Sequence, residues 1–271
     1  MKNGRKKQEQ IHLGAHGEDY GNWMPVSMLQ LVGGLAVLAA VLSLLSLAVF
    51  HITALGVVFV IAALLLLALL LWITWIRRQY AFGSGGMMEQ VHQVVLSHLD
   101  FDGQGQLLDV GCGSGALSIR AALTWRAAQV VGIDYWGSAY GYGQAMCEKN
   151  AASEGVAARC RFQHGDANKL DFPDESFDAV VSNYVYHNIT GADKRALLQE
   201  TLRVLKKGGV FALNDEMKHH MYGDMEAFAQ ELRDIGYEDV RLIDTAQEAF
   251  GSRRRAAMMM LGDSRMLVGR K

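Results

Sequence analysis

Between Asp19 and Arg77 the chain runs for 57 residues without one Asp, Glu, Lys or Arg. No other feature limits the fold so strictly. A helix needs about 20 apolar residues to cross a bilayer, so the stretch is long enough for two. Residues 27 to 48 make the first expected span and residues 55 to 76 the second. The turn falls in "FHITALG", where His51, Thr53 and Gly56 interrupt the apolar run. A secretory signal has an apolar core of only about 7–15 residues, closed by a cleavage site, and neither fits. A buried helical pair in a soluble protein would keep a polar face, which "VVFVIAALLLLALLLWI" lacks. Flanking charge orients the hairpin. Lys2, Arg5, Lys6 and Lys7 precede it, and Arg77 and Arg78 follow. The positive-inside rule therefore expects both termini in the cytoplasm, with Trp23, Trp72 and Trp75 at that interface.

The expected organisation is a tail over residues 1–26, the hairpin over 27–76, a glycine-rich linker over 77–86 and a soluble domain over 87–271. A net charge of −2 gives no basic face for nucleic acid. Three cysteines without metal-ligand spacing read as reduced thiols. His219 and His220 lack a third ligand, so no metal site is expected.

Past the linker, strand and helix patterns alternate. "MMEQVHQVVLSHL" has helical spacing. "QLLDV", "QVVGID", "RCRFQHGD", "FDAVVSN" and "GVFALND" read as short buried strands with helices between them, including 115–126 and 138–153. "YEDVRLID" and "SRMLVGRK" follow as a terminal antiparallel pair, interrupted by residues 246–264. Repeated βα units with fully apolar strands predict an α/β fold, a doubly wound, mostly parallel seven-stranded sheet. Ligands bind such sheets beyond the carboxyl ends of the strands.

Acids stand at those ends: Asp109, Asp134, Asp166 and Asp215. They suit a ligand with hydroxyls, an amino group and positive charge better than one rich in phosphate. The loop "DVGCGSGA" is ambiguous alone, because Gly111, Gly113 and Ala116 also satisfy the dinucleotide pattern G-x-G-x-x-G/A. Asp109, two places before the first glycine, would repel a pyrophosphate and attract an ammonium. The loop has no G-K-[ST], which excludes a nucleoside triphosphate site.

"LLDVGCGSGALSI" resembles motif I of class I S-adenosylmethionine-dependent methyltransferases. "VVGIDYW", "FQHGDANKLDFPDESFDAVVSNYVYHNI" and "LRVLKKGGVFALND" are similar to the next three motifs, in order. The branch it looks most like is that of small-molecule enzymes, including those of quinone biosynthesis. The resemblance implies a Rossmann-like domain with S-adenosylmethionine as cofactor. By that resemblance Asp109 and the backbone of Gly111, Cys112, Gly113 and Gly115 meet the methionine end. Asp134 takes the ribose hydroxyls and Tyr135 stands beside the adenine. Asp166 accepts from the adenine amine, Ala167 lends its amide, and Asn183 closes the site below the methionine.

Acceptor chemistry is less constrained. Methyl transfer needs a base only if the acceptor is protonated, and His187 in "NYVYHNI" is the candidate base, with Tyr184 beside it as a second candidate site residue. "SNYV" stands where amide and adenine-amine methyltransferases carry a proline-containing motif, which disfavours nucleic-acid and glutamine substrates. A membrane anchor favours a lipophilic acceptor. Alternatively, the hairpin only anchors an enzyme for a soluble metabolite, or docks a cofactor sensor on a partner. Arg253, Arg254 and Arg255, followed by Met258, Met259, Met260 and Leu261, have the composition of a patch that meets anionic headgroups.

Overall fold

A computed structural model describes residues 16–82, 86–137 and 141–271. The basic residues of the N-terminal tail, part of the expected linker (83–85) and part of the expected 138–153 helix (138–140) lie outside the described residues. The chain divides into two compact units. One is residues 22–81; the other combines the residues before 22 with Phe82–Lys271.

The first unit is a helical hairpin. Helix α1, Val26–Leu44, widens into a π-helical turn over Leu45–Val49, and α2 spans Thr53–Gln79. Both are long and apolar enough to cross a membrane. Their leucines point outward, Leu44 at 68% and Leu65 at 66% exposure. Where the helices approach, Gly56 leaves room for Leu47: a Cβ there would stand 2.4 Å from Leu47 Cδ2. Ser43 Oγ donates to the Gly56 carbonyl at 3.1 Å, so its hydroxyl is satisfied within the pair. Asn22 Nδ2 donates to the Arg77 carbonyl at 2.8 Å and closes the base of the hairpin.

The second unit is an α/β sheet with strand order β3-β2-β1-β4-β5-β7-β6. Helix α3 (Met87–Ser97) leads in. Then follow β1 (Gln106–Val110), α4 (Ala116–Thr124), β2 (Gln129–Asp134), α5 (Gln144–Ser153), β3 (Cys160–His164), β4 (Phe177–Asn183), α6 (Lys194–Arg203) and β5 (Leu205–Glu216). The chain ends with α7 (His219–Tyr222), α8 (Met225–Asp234), β6 (Glu238–Ile243), α9 (Thr245–Phe250), α10 (Arg253–Met258) and β7 (Ser264–Arg270). Strands β1 to β5 pair in parallel, and β7 runs antiparallel to both β5 and β6. Residues 246–264 are therefore not irregular: they carry two short helices between the last strands. Leu108, Val110, Val180, Phe211 and Leu213 are fully buried, as strands covered on both faces require. Strand order reverses between β1 and β4, which opens the ligand crevice at their carboxyl ends.

Candidate active site

The loop after β1 turns on three glycines with positive φ, at Gly111, Gly113 and Gly115. Gly111 cannot carry a side chain: a Cβ would stand 2.2 Å from Val185 Cγ2. The amides of Gly111 and Cys112 both donate to the Ile133 carbonyl, at 2.8 and 2.9 Å, and pin the loop to β2. The Gly113 carbonyl accepts from Trp136 Nε1 at 2.8 Å and Cys147 Sγ at 3.2 Å. Gly115 stands at the N-cap of α4, so the helix starts inside the loop.

Asp134, half-buried at the end of β2, accepts from the Gly113 amide at 2.8 Å through Oδ2 and from the Trp136 amide at 2.7 Å through Oδ1. An ionised carboxylate offers about four acceptor positions, so each oxygen keeps one for a further donor. Two hydroxyls on adjacent carbons match that remainder. Tyr135 is 66% exposed, its ring 5.2 Å from that of His164. Asp166 is exposed and its Oδ1 holds the Asn168 amide at 2.8 Å, while Ala167 is buried beneath it.

Asp109 sits lower than the others. It is 1% exposed, and Ser118 Oγ donates to its Oδ2 at 2.5 Å. Burial pushes its carboxyl up to about 7; Ser118 opposes the rise and the Asp134 charge adds to it. These features fit a S-adenosylmethionine cradle: a backbone-lined loop, a carboxylate for a diol with an exposed ring next to it, and an acid one strand further on.

A second cluster stands at the ends of β4 and β5. Asn183 Oδ1 accepts from Asn214 Nδ2 at 2.8 Å, which ties the two strand ends. Tyr184 is buried with φ 58°, and its hydroxyl shares a hydrogen bond of 2.5 Å with Ser264 Oγ of β7. His187 lies in a single 3-10 turn, Tyr186–Asn188. Its backbone amide donates to Asp215 Oδ2 at 3.2 Å, and its Nδ1 is in short contact with Asp215 Oδ1. Asp215 is fully buried and the His187 side chain is 29% exposed. The Tyr222 hydroxyl is buried against Asp215, and burial plus that carboxylate holds it protonated.

Glu216, 5% exposed, is pushed up to about 7 by burial, offset in part by Lys218 and the Asp263 amide. Its Oε1 has no hydrogen-bond partner among the described residues. Asp215, one of the acids expected at the strand ends, and its neighbour Glu216 stand in this cluster, and the contact of Asp215 with His187 is what the strand-end reading did not assign. The signal for them was the change from an apolar run to "NDE" at the end of β5. His219 and His220 lie in α7.

Residues 108–213 match the family model described as methyltransferase domain. The chain is 33% identical over 134 residues to 27-O-demethylrifamycin SV methyltransferase of Amycolatopsis mediterranei, covering 48% of this chain and 46% of the relative. It is 32% identical over 127 residues to a ubiquinone/menaquinone biosynthesis C-methyltransferase of Desulfotalea psychrophila, covering 46% of each. The chain thus spans less than half the length of these two relatives. A solved structure of geranyl diphosphate methyltransferase in complex with SAM superposes with TM-score 0.52 at 13% identity, covering 69% of this chain and 90% of that one, and shares the fold. The glycine loop, the acids at successive strand ends and these matches give residues 108–213 the character of a class I S-adenosylmethionine-dependent methyltransferase domain.

Proposed function

We propose that the protein transfers the methyl group of S-adenosylmethionine to a small, lipophilic acceptor at the cytoplasmic face of a membrane. One observation carries this reading. Helix α2, uncharged from Thr53 to Ile76, ends at Gln79, and the methyltransferase unit starts at Phe82. A tether that short keeps the site near the headgroups, where an apolar acceptor partitions. One relative is named for ubiquinone/menaquinone biosynthesis, whose products carry apolar chains. Arg77 and Arg78 favour a cytoplasmic placement. In and after α10, Arg254, Arg255, Met258 and Met260 are exposed, while Met259 and Leu261 pack inward. That outer face suits anionic headgroups above an apolar layer.

When bound, the cofactor supplies an electrophilic methyl on a sulfonium. The residues of this chain orient and exclude. Asp134 binds the ribose hydroxyls, and the backbone of the loop Gly111–Gly115 lines the methionine end. Asp109 lies buried beneath that end, its Oδ2 held by Ser118 Oγ. Tyr135, Asp166 and Ala167 frame the adenine, and Asn183 closes the floor. Tyr184, with its hydroxyl held by Ser264, shapes the acceptor wall.

His187 acts as general base. A proton on Nδ1 donated to Asp215 leaves Nε2 as the free acceptor for a phenolic or carbon-acid proton. Full-length protein in nanodiscs, incubated with methyl-labelled cofactor and a bacterial lipid extract, should place label in the organic phase. Label found only in water-soluble products would reduce the hairpin to an anchor.

A further inference from the structure

Residues 16–21 directly precede the helical unit in sequence, yet they pack with the methyltransferase unit. Asn150 of α5 holds them there. It is fully buried, and both polar atoms of its side chain are hydrogen-bonded. Oδ1 accepts from the Asp19 amide at 2.9 Å. Nδ2 donates to the Asp19 carbonyl at 2.8 Å and to the Ser114 carbonyl of the glycine loop at 3.0 Å. One side chain therefore joins the strap to the cofactor loop.

Tyr142 makes a second junction. A Cβ on Gly21 would stand 2.4 Å from its Cε1, and one on Gly113 would stand 3.6 Å from its Cδ2, so the ring sits between strap and loop. The strap is also latched at its start: His16 Nδ1 meets Glu154 Oε2 at 2.9 Å, and the Tyr20 hydroxyl donates to Glu154 Oε1 at 3.3 Å. The Tyr20 ring packs on Phe82 with centroids 5.0 Å apart.

We propose that the strap His16–Gly21 belongs to the cofactor site, with Asn150 and Tyr142 as positioning residues that hold the loop in its receiving shape while the strap is docked. Without the strap, Asn150 loses both bonds to Asp19. Its buried amide must then seek water or new partners, and the Ser114 carbonyl loses its fixed donor. Cofactor and strap favour the same loop shape, so each strengthens the binding of the other by the same factor. Cofactor loading thereby depends on the segment that runs into the first span, and a domain cut free of it loads poorly.

Two measurements on the full-length chain in detergent micelles test this. In the first, hydrogen exchange of residues 16–21 is followed with and without S-adenosylhomocysteine. The expected result is slower exchange at Asp19 and its neighbours when the ligand is present; a merely structural strap would exchange equally in both. In the second, calorimetry compares Asn150→Leu and Gly21→Val with the unaltered chain, and each should bind S-adenosylhomocysteine roughly tenfold or more weakly. Exchange unchanged by the ligand, or both variants binding at full affinity, overturns the proposal. If the variants do not fold, the exchange measurement decides alone. An unaltered chain that fails to bind S-adenosylhomocysteine would instead overturn the cofactor assignment on which the proposal rests.

Discussion

The two ends of the β1–β4–β5 crevice are built by different means. The end proposed for the cofactor is mostly backbone: three left-handed glycines, two amides on one carbonyl, and a carboxylate at the end of β2 that fastens the loop after β1. The end proposed for the acceptor is side chain against side chain: His187 on Asp215, Tyr184 on Ser264, Asn183 on Asn214. A backbone cradle recognises what all members of a family bind. Side-chain pairs from distant strands can be exchanged without disturbing the cradle, and they set what each member acts on.

The contrast can be broken first at Gly111. Gly111→Ala places a Cβ against Val185 at a φ of 76° and should cost roughly 2–5 kcal/mol through left-handed strain and overpacking. Binding of S-adenosylhomocysteine should disappear with it. Retained binding in calorimetry would show that the loop is not a backbone cradle. Asp134→Ala should have the next largest effect, about 2–4 kcal/mol in cofactor affinity, because two hydroxyl donors lose a charged acceptor. A chain whose affinity is unchanged by Asp134→Ala holds its ribose elsewhere.

A smaller effect sharpens the comparison through pH. Asp109 and Glu216 are buried acids, one at each end, both pushed up to about 7. Unfolded, such groups release their protons near about 4. Between roughly pH 4 and pH 7 the folded state therefore binds more protons than the unfolded one, and stability falls as pH rises through that window. The protein should melt at a lower Tm at pH 8 than at pH 6, and Asp109→Asn should narrow the gap. Equal Tm at the two pH values would mean that neither carboxyl keeps its proton in the fold.

Much of the cofactor end was readable from local sequence. Glycine spacing, an acid at the end of an apolar run and the βα alternation are all short-range signals, and the doubly wound, mostly parallel sheet was expected from them; its strand order came only with the structure. The burial of Asp109 was not readable, because it depends on Ser118, nine residues on, turning back beneath the loop. Nor was the strap: Asn150 and Asp19 are 131 residues apart, and nothing in "NAASEG" marks an asparagine that must be fully buried. At the acceptor end His187 was the candidate base, but its partner Asp215 lies 28 residues away on another strand. Residues 246–264 read as an interruption because six-residue helices give too few turns to show a period.

Division of labour between the two ends is tested most directly on His187→Gln, with binding and turnover measured on one sample. The affinity for S-adenosylhomocysteine should stay within about twofold, because no backbone of the cradle changes. Methyl transfer to the lipid-phase acceptor should fall by roughly 10²–10⁴-fold, the usual contribution of a positioned base. Cofactor affinity and turnover falling together, or turnover left intact, would contradict the separation of cradle from acceptor chemistry.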